Sequence, residues 1–428
     1  MSSSGAVERE VRARPERRAP IAAPPLAPGM VPELSLTAEW KVLADLDAAD
    51  IEAWRGLVAR ALEPNVFLEP SFALAATKHL AGGRSVGALL IRDGARLMGL
   101  VPGRIEGLAA GRLVATFVGW THAFAPLSTP LLDREAAIEV VGSVLQALPT
   151  LPGGPRLILY PFVNEDGAVA RLCAGELARK GIPVSRFDPH ERAMLRPAAD
   201  LGFTRDRQSI PKSAKADLGG SHPLASISGG RLKELRRQRR RLGELGVLVH
   251  RRITQAPEIG AEIEAYLALE ARGWKGKTGG TDRSQAAAYA FLRTAVLALA
   301  AEGKARIDLL ELELKPVAVA ITLFSGGRAW FWKIAYDEDY ARFSPAVQLA
   351  LDLTEDFGSD TEISLVDSCA IAGHPMIDHL WSERLSIADW MMPLANTYAT
   401  ALATAIAAKK IRRVAIKGLR AVRKIVRV

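Results

Sequence analysis

The chain has 428 residues, with 56 Lys+Arg against 47 Asp+Glu and a formal charge of +9. The whole surplus lies in residues 396–428, which hold nine basic side chains and no Asp or Glu; the remainder balances at 47 against 47. That distribution excludes a generally basic, nucleic-acid-coating protein. A 49% hydrophobic share excludes wholesale disorder, and Cys173 and Cys369 alone cannot build a disulfide framework or a four-thiolate zinc site. The two thiols fit a reducing cytosol, no apolar run approaches the ~20 residues that span a bilayer, and the first residues carry no apolar signal core.

Residues 1–33, rich in Ser, Ala, Pro and Arg, read as a disordered leader. Folded sequence is expected from about Leu34. Residues 35–46 suggest a strand, Asp47–Leu62 has helical apolar spacing with acidic residues at its start, and Phe67–Leu80 reads as a second helix. Val86–Arg92 and Arg96–Ile105 are strands joined at Asp93-Gly94, and Leu113–Gly119 is another. A Pro-punctuated loop leads to a helix at Arg134–Leu148, a strand at Arg156–Tyr160 and a helix at Val169–Lys180 that stops at Gly181. These elements make an N-terminal domain of residues 34–195. Residues 196–228, poor in apolar side chains, read as a linker.

The second half, residues 229–395, repeats this grammar. A helix over 231–246 precedes a strand at Val247–Ile253, helices at Pro257–Arg272 and Gln285–Glu302, and strands at Ala305–Leu312, Pro316–Ser325 and Ala329–Tyr336. A loop, a helix at Ser344–Phe357, a strand at Ile363–Asp367, a short helix at His374–Trp381 and a last strand at Ser386–Met392 follow. In each half a strand carrying a Trp, Trp120 or Trp332, leads through a loop with Pro126 or Pro345 to a helix and a strand. The expectation is a duplicated α/β unit with mixed sheets.

The stretch Ala329–Leu353 is the most informative chemically. A strand feeds a short loop that opens a helix, and the first turn of a helix offers unpaired N–H groups and the positive end of its dipole, a ready place for pyrophosphate. Ser344 suits the N-cap, Pro345 the first helical position, and Arg342 stands where it can pair with phosphate. A well-capped helix that binds nothing fits the same pattern.

The pieces RLKELRRQRRRLGELG (231–246), LALEARGWKGK (267–277), AWFWKIAYDEDYARFSP (329–345) and VDSCAIAGHPMIDHLW (366–381) together carry a resemblance. Residues 225–392 resemble an acyl-CoA-dependent acyltransferase of the GNAT superfamily, more narrowly its cellulose-biosynthesis, CelD-like branch, which is related to Fem-type peptidoglycan aminoacyl transferases. The first half resembles the degenerate partner domain of such tandem proteins. The resemblance implies that the pantetheine of acetyl-CoA or another acyl-CoA lies along Trp332, Lys333 and Ile334, and that its pyrophosphate meets Arg342, Ser344, Ala346, Val347 and Gln348. No metal is implied. The usual Gly-rich phosphate loop is missing: no Gly falls between Tyr340 and Leu349, and Ala346 takes the place of a small residue.

Transfer from a thioester needs a base or proton relay close to the reacting atoms. His374 is the first candidate base, with Asp367 to orient it; Glu270 is the second; Tyr336 is placed to protonate the departing thiolate. Each has an ordinary alternative as cap, strand-end hydrogen-bonding group or core. Cys369 admits a covalent reading, though a small thiol after a buried strand more often packs. Trp274, Trp330, Phe331, Trp332 and Trp381 form either an apolar sugar or acyl pocket or plain core, with Trp330 and Trp332 on one side of their strand and Phe331 on the other.

Two basic segments complete the reading. Residues 231–241 carry seven cations against Glu234 and keep a Leu stripe at helical spacing, so they form a docked helix with a cationic outer surface, facing either a polyanion or solvent. Residues 396–428 read as a basic amphipathic helix, for an anionic membrane surface through 409–428, for docking on the protein itself, or as a solvated tail. The expected protein is a tandem α/β enzyme transferring acyl groups other than aminoacyl groups. Its acceptor is an amine or hydroxyl on a small molecule or saccharide, in envelope or exopolysaccharide biosynthesis. It would be cytoplasmic, with peripheral attachment to the inner face of the plasma membrane through its tail. The alternatives are Fem-like transfer from charged tRNA, which makes tRNA the lesser partner, and a non-catalytic membrane-associated scaffold.

Overall fold

The computed structural model describes residues 34–197, 227–273 and 282–409. The leader, residues 198–226 of the linker, Trp274 and residues 410–428 of the basic tail lie outside the described residues.

The first half runs β1 (Leu36–Val42), α1 (Ala48–Arg60), α2 (Pro70–His79), β2 (Gly87–Asp93), β3 (Arg96–Glu106), β4 (Thr116–Gly119), β5 (Leu131–Leu132), α3 (Ala137–Ala147), β6 (Leu157–Asn164), α4 (Ala168–Arg179) and β7 (Ser185–Leu195). The second runs α5 (Gly229–Gly243), β8 (Leu248–Ile253), α6 (Ala256–Arg272), α7 (Asp282–Ala301), β9 (Ala305–Leu312), β10 (Lys315–Ser325), β11 (Arg328–Tyr336), α8 (Pro345–Gly358), β12 (Leu365–Asp367) and β13 (Glu383–Pro393). Residues 399–409 form a last helix, α9. Leaving aside β5 and α5, the two halves present the same succession, except that a single 3-10 turn, and no α-helix corresponding to α4, separates β12 from β13. The duplicated α/β unit is therefore present as topology.

Among the described residues all thirteen strands join one mixed sheet, ordered β1-β2-β3-β4-β6-β13-β7-β12-β11-β10-β9-β8, with β5 paired to β3. The order is a near-palindrome in which the two halves trade their last strands. β13 lies antiparallel beside β6 of the first half, and β7 lies antiparallel beside β12 of the second. β7 and β13 then pair with each other at the middle.

Strand β7 has no counterpart in the sequence reading, which places nothing between Gly181 and the linker. Its residues explain why. Pro189 cannot donate to a sheet ladder and argues against a central strand. The chain absorbs it with a bulge: His190 faces Ile387 and Phe187 faces Asp389, so Asp188 and Pro189 together oppose one residue, and Asp188 takes φ 50°.

Other expectations shift more modestly. The short helix at His374–Trp381 is only a single 3-10 turn, Ile377–His379. Ser344 stands at the N-cap of α8, but it is left-handed, with φ 54° and ψ 52°, and its side chain makes no cap bond. By contrast, Asp47 caps α1 as its sequence position suggests, accepting from the Asp50 N–H at 2.8 Å.

The core that joins the halves is aromatic. Phe72 of α2, Phe291 of α7 and Trp332 of β11 meet edge to face at centroid distances of 5.2–6.3 Å, with His122 and Phe124 of a first-half loop beside them. Helix α7 is long and apolar enough to cross a membrane by length and composition, yet its Phe291, Leu292, Ala295, Val296 and Leu299 are 0% exposed in this core. Ionic contacts reinforce the join. The Glu63 carboxylate accepts from the Val169 N–H at the start of α4 and pairs with Arg328 of β11, both at 3.0 Å. Gly167 makes room for it, since a Cβ there would come within 2.3 Å of that carboxylate.

Helix α9 docks on the first half. Leu402 packs with Leu157, Leu159, Phe187 and Met391, and Lys409 lies 3.4 Å from Asp188 and 4.1 Å from the centre of the Phe187 ring. The described start of the basic tail thus lies against the protein's own sheet.

Candidate functional site

Strands β11 and β12 run parallel, but their pairing is short. It covers Arg328, Ala329 and Trp330 against Leu365, Val366 and Asp367. Beyond it β11 continues to Tyr336 with no strand partner on that side among the described residues, so the sheet opens as a notch. A bulge shapes the open part. Along β10, Ile321 pairs with Lys333 and Thr322 with Phe331, leaving Trp332 as the extra residue. The faces of β11 exchange there: Trp330 and Trp332 pack in the α6–α7 core, while Ile334 and Tyr336 join Phe331 on the α8 side.

A cleft of about 330 Å³ lies at this opening. Its wall comprises Leu269, Glu270 and Gly273 at the end of α6, Ile334–Tyr336 of β11, Glu338 and Ala341 of the following turn, Ser344–Val347 at the start of α8, and His374–Met376. At the α8 end the Val347 and Gln348 N–H groups both return to the Ser344 carbonyl. The helix dipole is directed into the cleft with no acidic residue in its first turn to neutralise it.

Of the residues singled out in the sequence, the cleft brings together Glu270, Tyr336, His374, Ile334, Ser344, Ala346 and Val347. Glu270 accepts a 2.7 Å hydrogen bond from the Tyr266 hydroxyl; burial and then the Glu270 charge push that phenol well above its ordinary value, so it stays a donor. His374 Nδ1 lies 3.3 and 3.4 Å from the N–H groups of Met376 and Ile377, which donate to it. In a neutral ring held this way Nδ1 is the acceptor and the proton sits on Nε2, which suits His374 to donate a hydrogen bond.

The remaining candidates stand elsewhere. Asp367 is not free to orient His374: it is buried in an ion pair with Arg192 of β7 and accepts from the Cys369 N–H at 2.9 Å. Trp332 is core, its indole N–H donating to the Phe124 carbonyl at 2.9 Å. Lys333 lies over the Phe124 ring at 4.6 Å. Arg342 lies over the Phe343 ring at 4.7 Å, outside the cleft wall. Gln348 is 1% exposed and its amide donates to the Leu235 carbonyl of α5 at 2.9 Å, so it serves the packing of two helices. Trp330 and Trp381 are likewise core, 1% and 2% exposed. Burial and the neighbouring Asp367 hold the Cys369 thiol well above its ordinary value, which disfavours the covalent reading.

The sequence reading missed Glu338, Gly273, Ala341 and Pro375, which line the cleft beside residues it did name. Glu338 sits in the quoted loop, and its acidic type next to a presumed phosphate site was the available signal. A group with metal-like spacing, His250, Asp308 and Asp356, lies apart from the cleft. Arg306 and Arg252 pair with Asp308, and Arg252 also pairs with Asp356, so cationic side chains already balance these carboxylates.

The equivalent notch of the first half is closed. β4 and β6 pair in parallel through Thr116–Val118 and Leu157–Leu159, as β11 and β12 do. Tyr160 then covers the opening, lying so close over Gly119 that a Cβ there would come within 2.6 Å of its ring. Ahead of α3 an internal anion replaces any ligand: Asp133, 0% exposed, is bound by Arg60 at 2.8 Å and Arg96 at 3.0 Å.

Residues 229–370 match the family model of the acetyltransferase (GNAT) domain. No curated protein matches the chain. Among solved structures, a conserved protein of unknown function from Bacteroides thetaiotaomicron VPI-5482 is similar at 11% identity over 83% of this chain and 99% of that one, with a TM-score of 0.50. FemX is similar at 8% identity over 81% and 96%, with a TM-score of 0.47. A tandem GNAT protein from the clavulanic acid biosynthesis pathway is similar at 13% identity over 84% and 99%, with a TM-score of 0.39. The first of these likenesses concerns the fold alone.

Proposed function

We propose that the second-half cleft binds the pantetheine arm of an acyl-CoA and transfers its acyl group to an amine, with a small amino compound or amino sugar as acceptor. The observation that carries this reading is the notch. β11 parts from β12 beyond Trp330 and offers an unpartnered strand edge to an extended amide-bearing arm, and the start of α8 stands at the end of the same cleft. The family match over residues 229–370 supports the same assignment.

The residues divide the work. Backbone N–H groups of the open β11 edge hydrogen-bond the arm and hold the thioester carbonyl. The α8 N-terminus meets the pyrophosphate, and Ala346 keeps that approach open. Glu270 accepts the proton of the attacking amine, directly or through one water, oriented by its bond from Tyr266. The nitrogen forms the new C–N bond, the C–S bond breaks, and the Tyr336 hydroxyl returns a proton to the thiolate. His374 donates from Nε2 to the acceptor. Two carboxylates in the wall, Glu270 and Glu338, favour an acceptor that carries positive charge over a neutral alcohol.

Calorimetry of the intact chain with acetyl-CoA tests the reading. Binding is expected within the roughly 1 μM–1 mM span usual for substrates, and absence of heat at about 1 mM would overturn it.

A further inference from the structure

The outer face of α5 is not absorbed by this function. Lys233, Arg236, Arg237, Arg240 and Arg241 stand at i, i+3, i+4, i+7 and i+8, which on a helix is a single stripe, and all five are exposed. The opposite face, Leu235 and Leu242, is 0% exposed. Arg239 alone turns inward, to Asp352 of α8 at 3.0 Å. On the outer face Glu234 engages Arg237 at 2.8 Å and Glu244 lies 3.8 Å from Arg240. Among the described residues Lys233, Arg236 and Arg241 make no direct ion pair, although Arg236 lies in the field of Glu355 and Arg241 in that of Glu234.

The position of this stripe is fixed by two contacts. Gln348 bonds Leu235 and Asp352 bonds Arg239, four residues on in both helices, so α5 and α8 run side by side in the same direction. Leu232 is then level with Pro345. The stripe begins level with the start of α8, which lines the cleft, and runs about 12 Å along α5 beside it. The helix also packs on the turn Glu338–Phe343 that leads from β11 into α8.

We propose that this stripe docks an acidic carrier protein that presents the acyl group on a phosphopantetheine arm. The inference rests on the reading that the cleft takes a pantetheine thioester. A stripe of five cations is longer than the phosphates of one nucleotide need, and its spacing complements an acidic helix laid alongside. An RNA partner is less well matched: the outward positions carry no aromatic side chain for base stacking, and residues 1–395 balance at 47 cations and 47 anions. Atoms balance as for the CoA thioester. The amine takes the acyl carbon, the C–S bond breaks, and the carrier leaves with a protonated thiol.

The test uses the intact chain and a bacterial acyl carrier protein in apo, holo and acetylated forms. Holo and acetylated carrier are expected to bind, and the acetylated form to lose its acyl group to an added amine. The charge reversal Lys233→Glu/Arg236→Glu/Arg240→Glu should weaken carrier binding about 10-fold or more, while acetyl-CoA affinity stays within about twofold. A milder Arg236→Gln/Arg240→Gln variant, checked by its unfolding midpoint, guards against misfolding of the first. Equal carrier binding by wild type and both variants would overturn the proposal. So would acetyl-CoA binding without carrier binding, which leaves the acyl-CoA reading intact. So would tRNA binding that disappears with the same substitutions. Failure of both acetyl-CoA and acetyl-pantetheine to bind would remove the underlying reading as well.

Discussion

Arg192 of β7 and Asp367 of β12 form an ion pair in which each side chain is 2% exposed. The pair bridges a strand from the first half to one from the second at the middle of the common sheet, and Arg192 also donates to the Pro126 carbonyl at 3.2 Å. Removing one partner leaves a buried charge without compensation, which costs about 3–5 kcal/mol. Asp367→Ala should therefore lower unfolding free energy by about that amount in urea titrations, and Arg192→Leu/Asp367→Leu should recover most of it. A catalytic orienter would behave otherwise, losing turnover at unchanged stability.

The α8 start allows affinity and stability to be separated. Val347 lies in the first turn of α8 and lines the cleft. A carboxylate there favours the helix dipole by about 0.3–1 kcal/mol but repels a phosphate. Val347→Glu is expected to leave the melting temperature unchanged or raised, and to weaken acetyl-CoA at least ~10-fold. Calorimetry and a thermal scan on the same sample decide it.

Side-chain roles in the cleft predict distinct kinetics. Glu270→Gln should reduce kcat by about 10²–10⁴-fold, as removal of a general base does, with little change in acetyl-CoA binding. His374→Gln keeps a donor and should retain more activity than His374→Ala. If His374 were the base, the two variants would fail equally.

Local pattern carried most of the elements into view, because amphipathic spacing and caps act within a few residues. Asp47 before α1 and Pro345 opening α8 are legible for that reason. What escaped depends on distant chain. β7 looks wrong for a central strand until β13, about 200 residues later, supplies the partner around its bulge. The site divides the same way. Ser344 and Pro345 followed from the strand–loop–helix order, and Ile334, Ala346 and Val347 from the resemblance, whereas Gln348 and Asp367 were claimed by α5 and β7, partners that no local pattern names. The Trp332 bulge likewise reversed the faces of β11, so strict alternation from Trp330 misplaces Ile334 and Tyr336.

His122 gives the interface between the halves a pH dependence. Burial first, then the charges of Lys333 and Arg104, lower its pKa to about 4. Its Nδ1 accepts from the Phe124 N–H at 3.3 Å and its ring stacks on Phe72. The unfolded chain takes up this proton near pH 6.5 and the folded chain only near 4, so between those values the unfolded state binds more protons. The contribution to stability is complete above about pH 6.5 and declines as pH falls toward 4, by about 3 kcal/mol in all. His122→Gln, which cannot titrate, should flatten that part of the profile, read as the difference between urea midpoints at pH 7 and pH 4.5.

The exchange of strands makes a stronger claim about folding. The family match ends at residue 370 and begins at 229, which would suggest a separable domain. The sheet argues against separation. β12 contributes only three residues and pairs with β11 on one side and β7 on the other. Without the first half, β12 loses β7, β13 loses both neighbours, and Phe291 and Trp332 lose their contacts with Phe72. A fragment of residues 227–409 expressed alone is expected to lack a cooperative unfolding transition and near-ultraviolet circular dichroism. Co-expression with a fragment of residues 34–197 should restore both, because the missing strand and aromatic partner then return in trans. A cooperative transition in the isolated 227–409 fragment would show that the second half completes its sheet unaided, and the shared strands would then matter for position but not for folding.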